Sequence, residues 1–179
     1  MNYEEILYFW FNELKPRDWY RKDSVIDARI VERFSVVHQA AKAGLLYKWR
    51  ETAQGALAEI LVLDQFSRNM FRDNADAFAQ DALALVLAQE ALRRGLDQLV
   101  QEQQRHFFYL PFEHSEAVAM QEESVRLFTL LGQAEGLDYA KRHKQIIDRF
   151  GRFPHRNKIL GRQSTAEEVK FLQQPGSSF

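Results

Sequence analysis

Ser24-Val25-Ile26-Asp27-Ala28-Arg29-Ile30-Val31-Glu32-Arg33-Phe34-Ser35-Val36-Val37-His38-Gln39-Ala40-Ala41-Lys42-Ala43-Gly44 decides the fold class. Ile26, Ile30, Phe34, Val37 and Ala41 recur at steps of 4, 4, 3 and 4, which lines one face of an α-helix. Ser24 with Asp27 resembles a helix start, and Gly44 suits the left-handed residue that closes one. Upstream, Asn2 with Glu5 forms a capping box, and Leu7, Trp10, Phe11 and Leu14 continue at helical spacing to Pro16. Downstream, Thr52 can cap a helix carrying Leu57, Ile60 and Leu61. Asp76 to Arg94 is apolar nearly all round and reads as a central helix ending at Gly95. Further helices are predicted from Gln98 to Leu110, stopped by Pro111, from Ser115 to Leu131, and from Leu137 to Phe150. Ser164 with Glu167 opens a last short helix, and Pro175 to Phe179 reads as a frayed tail.

Composition agrees with an all-α chain of seven to eight antiparallel helices in a single domain over residues 1–179. Eight glycines and four prolines supply too few turns for a many-stranded β fold. With no cysteine there is no disulfide, thiol nucleophile or thiolate-ligated metal. The N-terminus has no basic segment ahead of an apolar stretch, and no window approaches ~20 uninterrupted apolar residues. The chain is therefore expected in the cytoplasm, away from membranes. Charge is uneven. Asp97 to Glu123 holds six acids and one base, whereas Lys141 to Arg162 holds eight bases and one acid, a stretch suited to an anion.

Polar residues placed where the period predicts core point to a site. From Leu57, steps of 4, 3 and 4 reach Leu61, Asp64 and Arg68, so an apolar stripe turns charged without changing face. Asp64 with Arg68 and Gln65 with Asn69 form i,i+4 pairs. A surface ion pair and a partly buried polar wall are both open, and Phe66, Met70, Phe71 and Phe78 favour the wall. His143 likewise interrupts Tyr139, Ile146 and Phe150, as a core histidine or as a general acid/base. In Pro111-Phe112-Glu113-His114-Ser115-Glu116, Ser115 and Glu116 are placed to cap the next helix, which leaves His114 unexplained. Arg149-Phe150-Gly151-Arg152-Phe153-Pro154-His155-Arg156-Asn157 is the densest stretch. Its guanidiniums suit carboxylate or phosphate, or they pair with Asp64, Glu113 or Glu116 as scaffold. A metal site from His114, Glu116 and His143 would need a tertiary coincidence, and no metal or cofactor is expected. A near-neutral chain with one short basic patch makes nucleic acid a minority reading.

Phe9-Trp10-Phe11, Leu63-Asp64-Gln65-Phe66-Ser67-Arg68-Asn69-Met70-Phe71-Arg72, Tyr109 to Glu116, Arg149 to Asn157 and Ile159 to Glu168 together resemble the bacterial family called Domain of Unknown Function 924. The resemblance runs nearly end to end and in order. Trp19-Tyr20 stands where the family more often has Trp-Phe, and Ser67 where it more often has Pro. The resemblance implies a tetratricopeptide-like superhelix of helical hairpins and no established activity, although no repeat near 34 residues is readable in the sequence. The family signature falls on Asp64, Arg68, Asn69, Arg72, His114, Glu116, His143, Arg152, His155, Arg156 and Asn157. The expectation is a polar pocket in which Arg68, Arg72, Arg152 and Arg156 hold an anionic small molecule or peptide carboxylate. His114 and His155 would donate hydrogen bonds, and Asp64 and Glu116 would orient the arginines. Two rivals stand beside it: a hydrolase or transferase using His114 or His155 as general acid/base, oriented by Glu116 or Asp64, and an adaptor whose groove takes a protein partner.

Overall fold

The computed structural model describes residues 2–178, and all regular elements among them are helical. The chain divides into two compact units. The first runs up to Arg72 and resumes over Asp76–Pro111; the second comprises Asp73–Ala75 and the chain from Phe112 onward.

In the first unit, α1 (Tyr3–Tyr8) starts at Asn2, whose side-chain oxygen accepts the Glu4 N–H at 3.0 Å. The helix then widens into a π turn over Phe9–Glu13. That turn is invisible to a 3.6-residue period, and it corrects the predicted stripe: Ile6, Phe9, Trp10 and Leu14 are buried, while Leu7 and Phe11 are half-buried. α2 (Ser24–Lys42) is capped by Asp23 rather than Ser24, its Oδ1 accepting the Val25 and Ile26 N–H groups. The predicted Ile26, Ile30, Phe34 and Ala41 do face inward, joined by His38.

α3 (Ala53–Leu61) begins at Thr52, whose hydroxyl accepts the Gly55 N–H at 3.0 Å. From Gly55 to Ser67 every residue is buried, across a second π turn (Val62–Phe66) and into α4 (Ser67–Met70). This segment, not the next helix, is the centre of the unit. α5 (Asp81–Arg93) starts five residues later than predicted and buries only Ala84, Ala88 and Ala91, with Val86 exposed. Its narrow alanine stripe packs against α3, while its leucines flank that contact half-buried. α6 (Glu102–Glu113) carries Pro111 in its last turn instead of stopping before it.

In the second unit, α7 (Val118–Leu131) and α8 (Ala134–Phe150) form a hairpin closed by Gly132 in the left-handed region, φ +77°. The helix starts at Val118, so Ser115 does not cap it. The Ser115 hydroxyl accepts the Ala117 N–H in a local turn at 3.2 Å. Ile146, Ile147 and Phe153 make a core against which Phe150 and Phe171 pack. α9 (Ala166–Leu172) opens on a capping box of Thr165 with Glu168, one residue after the predicted Ser164 and Glu167. The tail is tied down at Ser177, whose hydroxyl donates to the Leu172 carbonyl at 3.2 Å; Phe179 lies outside the described residues. No described helix is long and apolar enough to cross a membrane.

Candidate functional site

The first unit holds Asp64, Arg68, Asn69 and Arg72, and they form the polar wall the sequence predicts. Asp64 is 1% exposed. Its Oδ1 lies 3.1 Å from Arg68 Nη1, and Gln65 Nε2 donates to its Oδ2 at 2.6 Å. The Arg68 fork meets Asp81 at 2.8 and 3.1 Å. Burial pulls the Arg68 guanidinium towards losing its proton, but Asp64 and Asp81 outweigh it and hold the group above its ordinary range. The predicted Gln65–Asn69 pair does not form. Asn69 turns instead to Asp27 of α2 at 2.8 Å, and Arg72 forks onto the same carboxylate with both distances 2.7 Å. Both arginines are thus closed on carboxylates of their own unit.

Behind the wall, His38 Nε2 is 2.8 Å from Ser67 Oγ. The Ser67 hydroxyl donates to the Leu63 carbonyl at 2.6 Å, so the imidazole is the donor of the pair. Sequence reasoning missed His38, Asp27 and Asp81. For His38 the signal was present: Ile30, Phe34, His38 and Ala41 step by 4, 4 and 3, the same interruption that marked His143.

The second unit holds the other seven candidates. Phe153, fully buried, is the floor: the Arg156 guanidinium lies 4.7 Å over its ring, His143 meets it at 5.5 Å and His155 at 5.7 Å between centroids. His114 lies beyond, 6.4 Å from His143. The buried Glu113 brings Oε1 to 3.3 Å from His143 Nδ1, which also meets the Tyr139 carbonyl at 2.9 Å. A neutral imidazole with its proton on Nδ1 donates to both. Burial first, then Coulombic interactions with His114, Arg156 and His155, push His143 down to about 3 against the opposing pull of Tyr139. A group so far below neutrality is a poor acid or base at neutral pH.

Glu116 does not serve an imidazole. Arg162 forks onto it at 2.7 and 2.9 Å, and the Phe153 N–H donates to it at 2.7 Å. Burial raises this carboxyl, and these donors overcome that to leave it below its ordinary range. Arg152 forks onto Glu168 at 2.7 and 2.8 Å; that contact above all, with the Thr165 N–H and Asn157, takes Glu168 to about 2. Asn157 Nδ2 donates to Ser164 Oγ at 3.0 Å. No group of three His, Asp or Glu among the described residues is placed to hold a metal ion.

His143 makes a testable link to stability. Its pKa is about 3 in the fold and near 6.5 in the unfolded chain. Between these values the unfolded chain holds the extra proton, so the contribution is complete above pH 6.5 and lost as pH falls towards 3. The expected slope approaches about 1.4 kcal/mol per pH unit. Denaturant midpoints followed by circular dichroism from pH 7.5 to 4.5 should fall less steeply in His143→Leu than in the parent, and parallel curves would remove His143 from the account.

The family model described as "Bacterial protein of unknown function (DUF924)" matches residues 6–176. A solved structure titled as a protein of unknown function, ATU0120 from Agrobacterium tumefaciens, is similar at 44% identity. The match covers 96% of each chain with a TM-score of 0.92. Among curated proteins nothing matches.

Proposed function

The chain belongs to the DUF924 family of bacterial proteins, and from that premise we propose that its second unit binds a small oxyanion, a carboxylate or phosphate, through Arg156, His155 and His114. One observation carries the reading. The Arg156 guanidinium lies 4.7 Å over the Phe153 ring, His155 packs against the same ring, and His114 stands beyond His143, so a fork and imidazoles gather on one aromatic floor. A guanidinium supplies a planar fork matched to an oxyanion, and imidazole N–H groups add single donors beside it. The aromatic floor fixes the plane of that fork by cation–π contact. Neutral His143 and the carboxylate of Glu113 complete the wall without adding positive charge. The oxyanion belongs to a metabolite or to the end of a peptide.

Calorimetric titration with inorganic phosphate decides it. Saturable binding is expected for the parent chain, weakened tenfold or more in Arg156→Lys, which keeps the charge and loses the fork. Arg152→Lys should bind as the parent does. Equal losses in the two variants, or no heat in the parent, would remove the anion site.

A further inference from the structure

The second unit also carries an open groove that the anion cluster does not use. Arg142, Ile146, Arg149 and Phe150, which share one face of α8, line it with Phe171 of α9, and the turn at Gly176 closes one side. That turn is fixed, because the Ser177 hydroxyl donates to the Leu172 carbonyl. The open space is about 190 Å³, below the ~300–1,000 Å³ that a whole drug-sized ligand occupies, so the groove admits one side chain. Its floor is apolar: Ile146 is buried, and the Phe150 and Phe171 rings lie 5.0 Å apart. Its charges sit at the two ends. The Arg142 guanidinium leans over Tyr139 at 5.6 Å, and that of Arg149 lies over Phe150 at 4.7 Å and Phe171 at 5.8 Å. Seven residues of α-helix put their Cα atoms about 10 Å apart, farther than one carboxylate spans. No described acid lines the groove. Each arginine does hold a carboxylate of the chain, Arg142 meeting Asp138 at 2.7 Å and Arg149 meeting Glu167 at 2.7 and 2.9 Å, but those carboxylates are 55% and 63% exposed. Ion pairs so wet contribute little to the fold and exchange readily for another carboxylate.

We infer that this groove docks an extended acidic peptide of a partner protein, with one aromatic side chain on the floor of Ile146, Phe150 and Phe171 and a carboxylate at each arginine. The inference does not rest on the anion reading. Two cations about 10 Å apart match about three residues of extended chain, with an acid on either side of the apolar anchor. An aryl acid with a single carboxylate serves only one of them. The basic stretch from Lys141 to Arg162 adds a field that draws such a segment in.

The test is calorimetric titration of the intact chain with the peptide Glu-Glu-Phe-Glu-Glu, acetylated and amidated at its ends. Saturable binding is expected, weakened about tenfold or more when Arg142→Gln and Arg149→Gln are combined. The denaturant midpoint of that double variant, followed by circular dichroism, should stay close to the parent's, since only exposed ion pairs are lost. Replacing the peptide's phenylalanine by alanine should weaken binding about tenfold as well, and this arm leaves the protein untouched should the double variant fail to fold. No saturable binding in the parent would overturn the inference. Equal affinity for the alanine peptide, or in the folded double variant, would reduce the contact to diffuse charge and overturn it too. Phenylacetate binding as tightly as the peptide would assign the groove to small acids, which also contradicts it.

Discussion

Arg68→Leu is expected to destabilise the first unit by about 3–5 kcal/mol, the largest loss foreseen for any surface-reaching residue here. The arginine joins two carboxylates, Asp64 at 3.1 Å and Asp81 at 2.8 Å, and Asp64 is 1% exposed. Removing the guanidinium strands a buried anion that the Gln65 amide alone does not neutralise. Most of the loss is the penalty of that stranded charge, so Asp64→Leu in the same chain should recover most of it. The three tryptophans, Trp10, Trp19 and Trp49, all lie in the first unit, so denaturant unfolding followed by tryptophan fluorescence reports it directly. A loss below about 1 kcal/mol would place Arg68 among exposed ion pairs and undo the polar wall.

Gly55→Ala is expected to act against its own helix propensity. In an exposed helix the change gains about 1 kcal/mol. Here a Cβ on Gly55 would lie 2.1 Å from the Trp49 carbonyl oxygen and 2.8 Å from its carbon, both backbone atoms that cannot swing away. The short helical turn Tyr47–Glu51 packs against α3 through this close approach, and the Thr52 cap fixes where α3 begins. Separating them is expected to cost about 2–3 kcal/mol and to lower the melting temperature. A raised melting temperature would show that the turn yields freely.

The helices were legible because burial wrote a period into them. Ile26, Ile30 and Phe34 face inward as spaced, and Gly44, Gly95, Gly132 and Gly151 all take the left-handed conformation at helix ends. What was not legible was the widening of α1 and of the segment after α3 into π turns. A π turn adds one residue to the repeat, which brings both Phe9 and Trp10 inward in the first turn and buries all of Val62–Phe66 in the second. The burial of α5 failed for a related reason. Hydrophobicity all round does not say which stripe a neighbour covers, and alanine allows the closer approach.

The polar site was legible residue by residue but not as a set of partners. Asp64 with Arg68 is local and was found. Arg72 meets Asp27 across 45 residues and Arg162 meets Glu116 across 46, and no spacing rule reaches so far. Gln121 carried no signal at all, since a glutamine on a helix reads as surface until its nitrogen is seen on the carbonyls of the preceding turn.

The most direct test of the anion site is a histidine-selective NMR titration of the intact chain with inorganic phosphate, with each imidazole assigned by single substitution. His114 and His155 should shift together and saturate along one binding curve, His143 should respond less as a neutral wall residue, and His38 in the first unit should stay fixed. Shifts confined to His38, or no saturable shift at His114 and His155, would contradict the account.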